Sequence, residues 1–201
     1  RPSDVTKFPI IEAFLSVPRE KFVPDGKREA AYIGENFQIG QSRVILESRT
    51  LAKLLDALDI HNDELVLDIG TGLGYSSAII SLIAEVVIAV EDDSSLASEA
   101  EEILTEIGAD NVVVQVSKLQ DGAPEHGPYD VIILQGGIEE IPVSILKQLK
   151  NGGRIGAIFV EKGLGTAKIG FKLNDKINWR YSFNASAPVL PGFFKQKDFA
   201  L

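Results

Sequence analysis

The sequence predicts an α/β protein: a doubly wound, mostly parallel sheet with an antiparallel C-terminal hairpin, preceded by a helical and irregular N-terminal extension. Three observations carry this. From residue 64 onward, short apolar runs alternate with stretches of helical length, the pattern of parallel strands covered on both faces. A glycine-rich turn separates the first run from the helix after it. Near the C-terminus, segments 166–173 and 179–187 flank the polar turn Asn174-Asp175, which reads as a hairpin rather than another crossover.

The elements follow in order. Residues 1–47 carry the breakers Pro2, Pro9, Pro18, Pro24, Gly26, Gly34 and Gly40. Asp4 is a candidate cap for a short helix bearing Ile10, Ile11, Phe14 and Leu15, with Pro9 in its first turns. Val17 to Pro24 reads as a turn into an extended piece. Leu51, Leu54, Leu55 and Leu58 have the i, i+3, i+4, i+7 spacing of an amphipathic helix over 48–58. Strands are expected at 65–69, 86–91, 112–116, 129–134 and 154–160. Helices are expected at 75–84, from Ser94 or Ser95 to about Ile107, and from Pro142 to Leu149. Gly108 stops the second of these.

Composition bounds the function. The 201 residues are expected to form one domain, with 1–60 as the extension and 61–201 as the core sheet. A chain of this length buries roughly 70% of its unfolded surface without staples. The absence of Cys excludes disulfide scaffolds, thiol zinc sites and cysteine nucleophiles. His61 and His126 lie far apart and read as solvated loop residues, so no metal site is expected. Net charge is 20 − 29 = −9, which argues against nucleic acid or anionic membrane as partner. No apolar run reaches the roughly 18 residues of a membrane span. A cytoplasmic setting is expected.

The strongest local signal is Asp68-Ile69-Gly70-Thr71-Gly72-Leu73-Gly74-Tyr75. A strand–glycine turn–helix unit allows positive φ and close approach of a ligand to the backbone; a plain tight turn is the bland alternative. A dinucleotide fingerprint needs G-x-G-x-x-G. Here the spacing is G-x-G-x-G, and Tyr75 stands where the third glycine belongs. Asp68 would repel a pyrophosphate and suit a ligand bearing an ammonium or another cation. With no P-loop present, S-adenosylmethionine fits best. Glu91 ends the second strand 21 residues after Gly70, where an acid can accept both hydroxyls of a ribose. The alternative for Glu91 is a surface acid, and for Asp92 and Asp93 solvated charges favoured by a helix dipole.

With these residues in hand, the chain resembles the protein-L-isoaspartate O-methyltransferase family along nearly its whole length. The resemblance rests on Val17-Pro18-Arg19-Glu20-Lys21-Phe22-Val23-Pro24 followed by Ala31-Tyr32, and on the glycine turn. It also rests on Gly127-Pro128-Tyr129-Asp130-Val131-Ile132-Ile133 and on Gln148-Leu149-Lys150-Asn151-Gly152-Gly153-Arg154. It implies a seven-stranded Rossmann-like methyltransferase sheet with a reversed last strand. It implies, too, an S-adenosylmethionine-dependent enzyme that methylates the free carboxylate of isoaspartyl residues in damaged proteins, a protein-repair reaction. The cofactor contacts expected on this footing are Asp68, Gly70, Thr71, Gly72, Gly74, Tyr75, Glu91, Asp92, Lys118, Leu119 and Gln135. Two departures mark a divergent branch. The family's T-[IV]-S-x-P segment is missing; its Ser falls opposite Leu46 and its Pro opposite Ser48. The family's G-D-G after the third strand is replaced by Ser117-Lys118-Leu119.

A carboxylate acceptor is already ionised at pH 7 and needs no general base, so positioning and desolvation suffice for the chemistry. Arg43, Ser48 and Arg49 are the candidate acceptor-side residues, since Arg holds a carboxylate through two parallel hydrogen bonds. The alternative is that the arginines pair with Glu47 or lie in solvent. Gln135-Gly136-Gly137 contributes to the cleft or is simply a loop. Trp179 and Phe193-Phe194 read as packing, and the tail 188–193 as closing over the sheet edge or the site. Three rival readings stay open: another carboxylate or small-molecule acceptor, a non-catalytic adenosyl-binding module, and, more weakly, an NAD dehydrogenase.

Overall fold

The structure is a computed structural model that describes residues 5–24, 26–174 and 176–195. Asp4, expected to cap the first helix, and Asp175 of the predicted turn lie outside the described residues. Helix α1 (Phe8–Ser16) carries Pro9 in its first turn, where a missing N–H costs nothing. Within Val17–Pro24, expected as a turn into an extended piece, Arg19–Phe22 form a 3₁₀ turn. The irregular front also holds a small antiparallel hairpin of β1 (Phe37–Gly40) and β2 (Arg43–Ile45). Ser42, at φ 57, turns it.

Then come α2 (Ser48–Leu58), β3 (Leu65–Ile69), α3 (Tyr75–Ser81), β4 (Val86–Glu91), α4 (Ser94–Glu106) and β5 (Val112–Val116). They are followed by β6 (Tyr129–Ile138), α5 (Val143–Gln148), β7 (Leu149–Glu161), β8 (Leu164–Leu173) and β9 (Lys176–Asn184). The predicted elements are present with shifted ends. β6 and β7 run longer than their apolar cores, and β9 starts earlier than expected. Asp93, not Ser94 or Ser95, caps α4: its carboxylate accepts from the backbone N–H groups of Ser95 and Leu96 at 2.8 and 3.2 Å.

The sheet order is β5-β4-β3-β6-β7-β8-β9. The first five strands are parallel; β8 runs against them, and the edge strand β9, paired antiparallel with β8, returns to their direction, so the reversed strand is β8 and not the last one. The chain winds outward from β3 to β5, then crosses back to place β6 on the other side of β3. The switch point therefore lies between the carboxyl ends of β3 and β6, where open α/β sheets bind ligands. Both faces are covered. Val66, Val131 and Ile133 pack against α1, α2 and α3. Leu67, Ile69, Ile132 and Leu134 pack against α5 and the segment around Leu190 and Phe193. That explains why the strands read as continuous apolar runs rather than alternating ones.

The family-like segments have structural work in this frame. Arg19 is 1% exposed. Its Nε donates to Ala31 O at 2.7 Å and its guanidinium stacks 4.7 Å over the Tyr75 ring. Phe22 and Phe14 meet the same ring edge-on. Arg154 on β7 donates to the carbonyls of Leu58 and Asp59, which close α2, and makes a two-pronged pair with Glu64 at 2.8 and 2.6 Å. The tail does close over the sheet edge: Gly137 N–H donates to Pro188 O, and Leu190 N–H to Gly137 O.

Candidate functional site

The glycine turn leaves β3 with Gly70, Gly72 and Gly74 all at positive φ. Beneath it Asp68 is wholly buried. One carboxylate oxygen accepts from Ser76 Oγ and Ser77 Oγ, both at 2.6 Å; the other accepts from Gln135 Nε2 at 2.6 Å. Thr71 Oγ1 joins the cluster through Ser77 Oγ at 2.8 Å. Burial pushes the Asp68 carboxyl up and these neutral donors pull it back. Gln135 reaches Asp68 because β6 is irregular there. The register advances from Ile133↔Gly156 to Gly137↔Ile158, four residues against two, which frees Leu134–Gly136 from strict alternation.

Asp68, expected to face a cationic ligand, is thus turned inward and spends its oxygens fixing the turn to α3 and β6. Gln135, expected as a cofactor contact, positions Asp68. The serine pair that completes the cluster was missed by sequence reasoning. Its signal was present: two hydroxyls in the first turn of a helix, eight and nine residues after a strand acid.

Glu91 ends β4 beside the turn and is also wholly buried. It accepts from Gly72 N–H at 2.7 Å, from Asp92 N–H at 3.0 Å and from Asp93 N–H at 3.2 Å. It also accepts from Arg43 twice: Nε at 3.3 Å and Nη2 in a short ion pair. Burial raises the Glu91 carboxyl and the Arg43 charge opposes that. Arg43 is therefore neither in solvent nor paired with Glu47, and its place on Glu91 was not foreseen. Its Nη1 is buried with no hydrogen-bond partner and lies over Gly70, 2.9 Å from where a Cβ would stand. A Cβ on Gly72 would strike Ile39 Cδ1. The hairpin β1–β2 thus covers the turn with Ile39 and Arg43.

The other expected residues separate. Asp92 has its carboxylate 3.9 Å from Arg43 Nε. Tyr75, expected at the cofactor, turns its ring to Phe14, Phe22 and Arg19 and fastens the N-terminal extension instead. Ser48 opens α2 and meets the Tyr75 phenol. Lys118 is exposed, while Leu119 is wholly buried among core residues such as Ala123 and Leu134, so neither has the posture of a ligand contact. Arg49 lines a separate cavity of about 190 Å³ with Glu47, Thr50, Lys53, Phe183 and Asn184. Leu46, opposite the family's Ser, is a core side chain. Thr50 Oγ1 donates to the Glu47 carboxylate at 2.9 Å. His61 and His126 are exposed, as expected. Among the described residues no acid–histidine group is disposed to hold a metal, and no helix is long and apolar enough to cross a membrane.

The fold and the acid-flanked turn at its switch point define a class, the methyltransferases of the doubly wound type. A protein-L-isoaspartate O-methyltransferase of known structure superposes with a TM-score of 0.83 at 25% identity, over 92% of this chain and 62% of the other. A putative enzyme of the same name from Plasmodium falciparum, solved with S-adenosyl-L-homocysteine, shares the fold. It has a TM-score of 0.79 at 18% identity, over 92% of this chain and 91% of its own. The sequence profile described as Protein-L-isoaspartate(D-aspartate) O-methyltransferase (PCMT) matches residues 4–178. The chain belongs to that family. It is 36% identical over 146 residues to the protein-L-isoaspartate O-methyltransferase of Syntrophus aciditrophicus, covering 73% of this chain and 67% of the relative. It is 38% identical over 146 residues to a second such protein from Pelobacter propionicus, covering 73% and 65%. The matched region thus spans about two thirds of these curated relatives.

Proposed function

We propose that this chain is an S-adenosylmethionine-dependent carboxyl O-methyltransferase acting on isoaspartyl residues of proteins, in a cytoplasmic setting. The observation that carries the reading is the Glu91 carboxylate, buried at the end of β4 and joined to the Gly72 N–H of the turn that leaves β3. Membership of the family over residues 4–178 supplies the acceptor class. The residue types suit an adenosyl ligand: an acid for a ribose and three glycines at positive φ. Their arrangement in this conformation does not, because Glu91 already accepts five hydrogen bonds, more than the roughly four lone-pair sites of a carboxylate. What the chain's own residues do is hold the turn rigid through Asp68 and exclude water above it through Ile39 and Arg43.

The test is methyl transfer from labelled S-adenosylmethionine to matched isoaspartyl and aspartyl peptides. Label on the isoaspartyl peptide alone is the expected result; label on neither, with the cofactor still bound, rejects the isoaspartyl acceptor. The second reading, a different carboxylate or small-molecule acceptor, is favoured by one observation: Leu46, a buried core side chain, stands opposite the family's reaction-centre Ser.

A further inference from the structure

We propose that Arg43 is an internal competitor for Glu91: it occupies the place of a nucleoside diol and must leave before a nucleoside is seated. The proposal rests on the adenosyl reading above and starts from hydrogen-bond capacity. A ribose offers two O–H donors to a carboxylate. Glu91 has no acceptor position left for them while Arg43 Nε and Nη2 are in place. The backbone donors cannot make room, since the N–H groups of Gly72, Asp92 and Asp93 belong to the turn and to the start of α4. Arg43 supplies the two removable donors among these five.

The same side chain is built for exchange rather than for permanence. A guanidinium has five N–H donors, and Arg43 Nη1 is buried without a partner, so the pair with Glu91 leaves a desolvation cost unmet. The side chain is 5% exposed, so Nη1 has no access to bulk water. Its carrier is light. β1 and β2 are four and three residues long, their register slips between Gln38 and Gly40, and Ser42 holds a left-handed turn between them. A hairpin of this size has little stability of its own. When Arg43 leaves, Glu91 exchanges two guanidinium donors for two hydroxyls. The freed cation stays beside the turn, where a ligand or acceptor carboxylate satisfies Nη1 as well.

If the paired state dominates, apparent affinity falls by the fraction of molecules open to ligand. Removing the guanidinium while keeping its bulk lifts that reduction. Calorimetry with S-adenosylhomocysteine is therefore expected to show Arg43→Met binding at least tenfold more tightly than the unaltered protein. Hydrogen exchange reads the same event without a variant: the ligand should speed exchange of the backbone amides of 37–45 in the unaltered protein. Equal or weaker binding by Arg43→Met, with circular dichroism unchanged, overturns the competition. So does slower exchange in 37–45, which also decides the matter if the variant fails to fold. If neither folded protein binds S-adenosylhomocysteine, the adenosyl reading itself falls, and the proposal with it; that outcome is distinct from one in which both bind alike.

Discussion

The floor and the roof of the switch point are held by different chemistry. Below, Asp68 is fixed by Ser76, Ser77 and Gln135, three neutral donors on α3 and β6. Above, the β1–β2 hairpin meets Glu91 through one guanidinium that leaves a donor unsatisfied. The lower cluster is closed and belongs to the core. The upper contact is charged, incomplete and carried by seven strand residues. A protein that must keep a binding turn in shape while opening the space over it needs this asymmetry. It also separates two acids that look equivalent in the sequence: Asp68 is an anchor, and Glu91 is the acid that faces the space under the hairpin.

The contrast breaks most visibly at the floor. Asp68→Ala leaves Ser76, Ser77 and Gln135 without their acceptor and should cost about 3 kcal/mol, read by denaturant unfolding. A loss under about 1 kcal/mol would mean the floor is held by packing alone. Next in size is Arg154→Ala, which strips the closing carbonyls of α2 and strands Glu64. About 2 kcal/mol is expected in the same measurement.

Acid sharpens this second effect. Burial works to raise the Glu64 carboxyl, but its hydrogen bonds with Arg154 win and hold it below its ordinary value. A folded-state value below the unfolded one gives stability that is complete above the unfolded pKa, about 4.3. That stability is lost as pH falls through the folded value. Unfolding followed from pH 6 to pH 2 should therefore decline less steeply at the acid end in Glu64→Gln than in the unaltered protein. Parallel profiles would remove Glu64 from the acid response.

At the roof, Glu91→Gln keeps the shape and removes the charge that Arg43 meets. Faster amide exchange in 37–45 is expected, with exchange in the strand and helix on either side of the turn, 65–69 and 75–81, unchanged; uniform acceleration of all three would erase the distinction between floor and roof. The smallest effect is expected at Lys118, exposed on the loop after β5. Lys118→Ala should change stability by no more than about 0.5 kcal/mol and leave S-adenosylhomocysteine affinity within twofold by calorimetry. A larger loss of affinity would restore Lys118 to the ligand contacts.

What could be read from the sequence followed the period of the apolar residues. β3, β4 and β5 were legible because Val, Ile and Leu run together and stop at Gly70, Glu91 and Ser117. α2 was legible from its leucine spacing. The hairpin 37–45 was not, because strands of three and four residues give too few alternations to rise above the breakers Gly40 and Ser42. The place of Glu91 could be read from its strand end. Its partner could not, since Arg43 lies 48 residues away and only the folded hairpin brings the two together. Tyr75 was misread for a related reason. Its position within the motif suggested the ligand, whereas an aromatic ring in the first turn of α3 is drawn to the nearest large apolar surface, here Phe14 and Phe22.

The strap formed by Pro188 and Leu190 across Gly137 has a consequence for the order of assembly. Those residues follow every strand of the seven-stranded sheet in sequence, yet they satisfy backbone groups at the rim of the switch point. Their docking needs Gly137 already held in β6, so the ligand-facing rim is completed after strand pairing and not with it.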